Sequence, residues 1–399
     1  MKIILNTVQA RKNSILLIFK GYYFCLFFAI GSLGPLLSSY FKNVLDLSTS
    51  QIGILMSLTP IVAIFSQPLW GMLSDMTLNP KKMLLIAQVS TIVIALFYST
   101  ITSYGMLLFV VVLLSMTQSA LIPLSDSIAL NYVQKIGGNY GAIRLYGSIG
   151  FAIAVLVSGR LAELFGLAII FFIFAFCVLV GLGISIFIPN ATTISKREPI
   201  LKGVPILLSN KRFLLFLICA FLVFGPISAN NTYFGLYIQS LGGTLTGIGI
   251  AFLISAGSEA PFLQVAKRLI NRFGIYNILI ATALVSALRW YFYFTNPPMP
   301  ILFLSCLTQG LSVGLFIPAA LQFVREQAPD SLKATAVTIY SGLGLGMGEW
   351  FCTFVSGFIS EAFSIKAIYI LFGTLSIVAV GIMQYLKKDS NINHKKEIA

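Results

Sequence analysis

Histidine is nearly missing from this chain. The one in 399 residues, His394, lies in the polar tail. A histidine-centred zinc site or a histidine base therefore has nothing to draw on. Cysteine offers no substitute. Cys25, Cys177, Cys219, Cys306 and Cys352 all fall inside apolar stretches, with no C-x-x-C pair. They read as small buried hydrophobes rather than disulfide partners or metal ligands. No metal, no cofactor and no enzymatic activity are expected. Charge is scarce as well: 10% of residues are ionisable and 58% are hydrophobic, against about 25% charged in an average soluble domain. A soluble protein of this length would need far more polar surface.

What remains is a series of apolar blocks, each long enough for a helix to cross a hydrocarbon core about 30 Å thick. The blocks do not alternate in polarity, which excludes a transmembrane barrel. The expected architecture is an all-α membrane protein with twelve transmembrane helices. The spans are expected near 15–41, 50–73, 83–101, 104–134, 140–165, 167–188, 212–240, 245–269, 275–295, 299–325, 334–362 and 365–387. Met1 to Lys20 is basic and leads into a full-length span without a small-residue cleavage site, so it reads as the approach to a first helix.

The net charge of +14 would suit nucleic acid, but its placement does not. The basic residues sit in short connectors. Lys2, Arg11, Lys12 and Lys20 lie toward the N-terminus, and Lys81, Lys82 and Lys135 follow the second and fourth spans. Lys196, Arg197, Lys202, Lys211 and Arg212 crowd the middle, Lys267, Arg268 and Arg272 lie at and after the end of the eighth span, Arg325 and Lys333 around the end of the tenth, and Lys387, Lys388, Lys395 and Lys396 close the chain. The alternate connectors hold only Lys42, Arg160 and Lys366. Basic connectors stay cytoplasmic, so both termini are expected there, in the cell membrane.

The long polar connector divides the chain into a six-helix half at 1–190, a linker at 191–211, a second six-helix half at 212–388 and a tail at 389–399. The halves echo one another. Val157-Ser158-Gly159 with Glu163 and Phe165 recurs as Val355-Ser356-Gly357 with Glu361 and Phe363, and Ile122-Pro123 recurs as Ile317-Pro318. Two pseudo-symmetric halves are the organisation of a rocking carrier with its substrate site at the repeat interface near mid-membrane.

Five ionisable residues lie far from any connector: Asp126, Arg144, Glu259, Arg289 and Glu349. A charge at a helix centre costs about 2.5–3.5 kcal/mol on insertion scales, and such residues mark ion or substrate paths. Asp126 and Arg144 flank a turn near residue 137 with an offset of four residues, about 6 Å of helix rise, which two side chains can bridge. Glu259 and Arg289 flank a turn near residue 272 with the same offset. Ser115 and Ser119 share the Asp126 face, and Thr282 and Ser286 the Arg289 face.

The run Tyr140-Gly141-Ala142-Ile143-Arg144-Leu145-Tyr146-Gly147 resembles the start of span five in the lactose permease, phenylpropionate permease and nucleoside–proton symporter groups of the major facilitator superfamily. Gly71-Met72-Leu73-Ser74-Asp75 with Lys81-Lys82, and Asn271-Arg272-Phe273-Gly274, resemble two copies of that superfamily's loop signature. Met76 stands where Arg is usual, and Asn271 where Asp is. The resemblance implies a conformational latch at Gly71, Asp75, Arg272 and Gly274. It implies substrate contacts at Asp126, Arg144 and Arg289, and proton coupling at Glu259, with Asp126 second. Gln309 occupies the place where relatives often carry His; it can bind by hydrogen bonds but cannot titrate. Glu349 is left as a replacement proton site or a structural acid. Asn230 and Asn231 are candidate ligand partners, and Tyr22, Tyr23 and Phe24 face either a ligand ring or lipid.

The expected function is proton-coupled symport of a small polar solute (sugar, oligosaccharide or nucleoside) by a protein working as a monomer, without nucleic acid. The alternatives are an aromatic-acid uptake permease, a multidrug efflux transporter, and an uncoupled facilitator or sensor.

Overall fold

The computed structural model describes residues 2–190 and 200–398. The connector expected at 191–211, with Lys196 and Arg197, lies outside the described residues over 191–199. Among the described residues the chain is helical throughout: α1 (Lys2–Asn43), α2 (Thr49–Thr77), α3 (Pro80–Tyr98), α4 (Tyr104–Gln118), α5 (Leu121–Ile136), α6 (Tyr140–Phe165), α7 (Ile169–Ser185), α8 (Ile200–Ser209), α9 (Lys211–Ser240), α10 (Leu245–Phe273), α11 (Ile275–Phe294), α12 (Met299–Ser305), α13 (Thr308–Glu326), α14 (Lys333–Ile339), α15 (Met347–Ala362) and α16 (Ile368–Ile398). Asparagines start several of them. Asn79 accepts from Lys82 N at 3.1 Å, Asn139 from Gly141 N at 2.9 Å and Asn210 from Arg212 N at 3.0 Å, each meeting an amide the helix leaves orphaned.

Ten helical stretches are long and apolar enough to cross a membrane, with α4–α5 and α12–α13 each counted as one. The shorter apolar α7 makes an eleventh segment. The twelfth, expected over 334–362, is α14 and α15 joined by a π-helical stretch at Tyr340–Gly346. Gly342, Gly344 and Gly346 fall in it. Glycine loses more backbone freedom than other residues when it enters a helix, so a run of glycines weakens the regular α pattern.

The other two breaks also have local causes. Pro123 has no N–H to return to Ser119, and α4 ends at Gln118. At Cys306 the backbone tightens, with Cys306 N on Phe303 O and Leu307 N on Leu304 O, both at 3.1 Å. The Ser305 and Thr308 hydroxyls take up the carbonyls of Leu302 and Ser305, a side-chain competition that loosens a helix.

The chain divides into two compact units. One comprises Met1–Asp46, Leu58–Ser195 and Thr244–Gly249, and the other Leu47–Ser57, Lys196–Gly243 and Ile250–Ala399. In the first, α1 packs on α6 so closely that a Cβ on Gly150 would overlap the Phe24 carbonyl. Tyr22, Tyr23, Leu26, Met83, Leu84 and Leu121 join the same core. In the second, Trp290, Tyr293, Tyr237, Tyr369 and Phe372 form a fully buried aromatic cluster. An ion pair of 2.8 Å from Arg212 to Asp389 ties the start of α9 to α16. Lys333, at the start of α14, contacts Asp330 on the preceding connector at 2.5 Å and holds its carboxyl below the usual carboxylate range.

The repeated Val-Ser-Gly…Glu motif does the same work in both units. Glu163 accepts from Thr246 N at 2.8 Å and Thr246 Oγ1 at 2.7 Å, capping the first turn of α10. Glu361 accepts from Ser50 N at 2.9 Å and Ser48 Oγ at 2.8 Å, capping the first turn of α2. A carboxylate at a helix N-terminus meets free amides and the positive end of the dipole.

Candidate functional site

In the second unit, α10, α11 and α13 bring three of the expected residues together. Gly310 donates its backbone N–H to Ser258 Oγ at 2.9 Å, and a Cβ on Gly310 would overlap the Ser258 carbonyl. This close approach brings together the residues beside each contact point, Gln309 just before Gly310 and Glu259 just after Ser258. The Gln309 amide oxygen, Oε1, accepts from Arg289 Nη1. Glu259 and Arg289 were expected to meet directly; Gln309 intervenes.

Arg289 is 5% exposed. Its guanidinium lies 4.2 Å from the Trp290 ring centroid and 6.0 Å from that of Tyr293, a cation–π setting. Nε and Nη2 of Arg289, Trp290 Nε1 and Ser286 Oγ are buried without hydrogen-bond partners. Buried donors normally find an acceptor, and here a cation with two open donors remains beside an amide and an acid. The aromatic neighbours were missed at the sequence level, although Trp290 and Tyr293 follow Arg289 at one and four positions.

In the first unit, Asp126 on α5 and Arg144 on α6 are both half-buried. They do not form the expected bridge: no ion pair joins them within 4.0 Å. Asp126 instead accepts from the hydroxyls of Tyr23 and Tyr140. The Arg144 guanidinium lies 3.9 Å from the centre of the Phe27 ring. Tyr22 and Tyr23 are wholly buried, so neither faces lipid. The Ser115–Ser119 stripe binds hydroxyls of α2: Ser115 donates to Thr59 at 3.1 Å, and Ser119 pairs with Ser66 at 2.6 Å.

The remaining candidates are dispersed. Asn230 is buried and accepts from Tyr369 at 3.2 Å, whereas Asn231 is exposed. Glu349 is half-buried in the first turn of α15, beyond the π-helical stretch, and makes no hydrogen bond or ion pair among the described residues. Gly71 and the exposed Asp75 lie near the end of α2. Arg272 is exposed at the end of α10. Gly274 has φ +82°, a conformation that suits glycine, and links α10 to α11.

Comparison with known proteins agrees with this architecture. A maltose permease of Geobacillus stearothermophilus is 46% identical over 371 residues, covering 93% of this chain and 94% of the permease. An uncharacterized transporter, YwbF, of Bacillus subtilis (strain 168) is 41% identical, covering 98% of this chain and 97% of its own length. Among solved structures, the nucleoside transporter NupG superposes with a TM-score of 0.85 over 94% of this chain and 99% of its own, at 21% identity, a likeness of fold. The MFS_1 like family matches residues 16–371. Long apolar helices, an internal repeat, buried charge and this match lead to one assignment: the chain belongs to the MFS_1 like family, a multi-pass membrane transporter of the major facilitator superfamily.

Proposed function

We propose that the protein is a proton-coupled symporter that takes up a small neutral sugar, maltose first, by alternating access. The observation that carries this reading is the Arg289–Gln309–Glu259 group: a buried guanidinium with two open donors, bonded to an amide that neighbours an acid. Open donors of this kind suit the hydroxyl and ring oxygens of a sugar, and the adjoining carboxyl suits a proton carrier whose exposure to water changes as access alternates. Glu259 is the first coupling residue, with Asp126 and Glu349 behind it. Asp126, Arg144, Asn230, Asn231, Arg289 and Gln309 are the substrate contacts. Gly71, Asp75, Arg272 and Gly274 belong to the loops that latch one conformation. The similarity to a maltose permease over nearly the whole chain supports the choice of sugar. The basic connectors support a cell-membrane location with both termini cytoplasmic, and the protein acts as a monomer.

The test is uptake in cells lacking their own maltose transport. Expression of this chain should produce accumulation of labelled maltose against its gradient, with alkalinisation of an unbuffered medium on maltose addition. Uptake of uridine or phenylpropionate in place of maltose would overturn the substrate. Equilibration without alkalinisation would overturn the coupling.

A further inference from the structure

The hydroxyls of Tyr23 and Tyr140 both donate to the same oxygen, Oδ1 of Asp126, at 2.6 and 2.7 Å. Each carboxylate oxygen has two lone pairs, so Oδ1 is filled and the remaining capacity lies on Oδ2. Both phenols are held in place. Tyr23 is 0% exposed, stacks on Phe27 with ring centroids 6.3 Å apart, and meets the Tyr140 ring edge-on at 6.3 Å. Tyr140 sits four residues before Arg144 on α6, hence on the same helix face. The Arg144 guanidinium rests over Phe27, and no hydrogen bond or ion pair to a protein acceptor occupies it among the described residues. An anion and a cation in neighbouring helices would ordinarily collapse onto each other. Here two phenols hold the anion and an aromatic face holds the cation.

We propose that Tyr23 and Tyr140 are positioning residues that keep Asp126 and Arg144 apart as an open acceptor–donor pair, and that the ligand this pair takes is a neutral polyhydroxylated molecule rather than an anion. The inference rests on the sugar-uptake reading above and adds to it how the first unit selects its ligand. A hydroxyl donates its hydrogen and accepts at its oxygen, so neighbouring hydroxyls on a sugar ring satisfy Asp126 Oδ2 and the Arg144 N–H groups together. A carboxylate ligand drawn to Arg144 would bring a second carboxyl, with no hydroxyl hydrogen to donate, against Asp126 Oδ2. Because the pair is held open before binding, no ion pair has to be broken to admit the sugar.

The experiment compares wild type with Tyr23→Phe, Tyr140→Phe and the double variant. These keep the rings and their packing while removing the hydroxyls, and folding is checked by thermal unfolding. Michaelis constants and maximal rates are measured for maltose uptake. Each single variant should raise the Michaelis constant about tenfold, the scale of one hydrogen bond to a charged group, with the maximal rate nearly unchanged. Asp126→Asn should weaken wild type strongly but add little in the double variant, a non-additivity that independent packing roles would not give. Unaltered Michaelis constants in folded variants, or fully additive losses, would overturn the proposal. Wild type that carries no maltose would instead overturn the uptake reading. The clamp is then read by thermal shift of the purified protein with maltose, uridine and phenylpropionate. Stabilisation by a neutral ligand that weakens in the Phe variants supports it. Stabilisation by phenylpropionate alone, no stabilisation by either neutral ligand, or a neutral-ligand shift unchanged in the variants overturns it.

Discussion

Arg289 and Gln309 share one hydrogen bond, from guanidinium Nη1 to amide Oε1, and that bond fixes which way the amide faces. With Oε1 on the arginine, the NH₂ end is the donor left for a second partner, and Glu259 is the neighbouring acid. A glutamine can present a donor and an acceptor at once. It therefore couples a cation to an acid without titrating itself.

Replacing Gln309 with Leu should leave a further Arg289 donor unmet and detach Glu259 from the group. Loss of a hydrogen bond to a charged group is worth about 1.5–3 kcal/mol, or about 10- to 100-fold in affinity. The Michaelis constant for maltose should rise by that factor. An unchanged value would remove Gln309 from the binding group.

Glu259→Gln keeps the size and hydrogen-bonding capacity of the side chain and removes its proton. Accumulation against a gradient should vanish, while exchange of labelled for unlabelled maltose across the membrane persists. Glu349→Gln, made in parallel, should leave accumulation intact if Glu259 is the coupling acid. Full accumulation by Glu259→Gln would transfer that role elsewhere.

Gly310→Ala should be costly out of proportion to one methyl group, because the new Cβ overlaps the Ser258 carbonyl and pushes α13 off α10. Overpacking of this kind costs about 1–3 kcal/mol. Gly257→Ala, on α10 with nothing within 4 Å of the added Cβ, should instead be neutral or stabilising by about 0.5–1 kcal/mol. Thermal unfolding of the two purified variants separates the predictions. Equal melting temperatures would show that the close approach does not matter.

Glu163→Ala and Glu361→Ala each remove the cap from one helix N-terminus, an effect of about 1 kcal/mol per cap. Gln at either position keeps an acceptor oxygen and should lose less. The two caps share no partner, so their losses should add. Melting temperatures of the single and double Ala variants test this, and a double variant no weaker than one single would argue against two independent caps.

The amino-acid sequence already determined the class of the protein. Apolar blocks of span length with almost no charge admit only a helical membrane chain, because backbone polar groups in lipid must be satisfied within the helix. The repeat around Val157 and Val355 was legible as duplication, and the structure gave it a task, since Glu163 and Glu361 cap helices far away in sequence. Asp126, Arg144, Glu259 and Arg289 stood out because ionisable groups at membrane depth are rare. Helix arithmetic put each pair at similar height.

Arithmetic along a helix axis fixes height but not direction around it, and it cannot see a third helix. Only the tertiary structure decided that Gln309 from α13 would enter between Glu259 and Arg289. It also decided that Tyr23 from α1 would take the Asp126 oxygen that Arg144 was expected to hold. Likewise, the opening of Tyr340–Gly346 into a π-helical stretch within the span expected at 334–362 was decided by the folded structure. Composition is set by the solvent around the whole chain and so can be read residue by residue. Partner choice at a buried charge is set by whichever side chain of another helix arrives within hydrogen-bond distance, and that is a property of the folded packing alone.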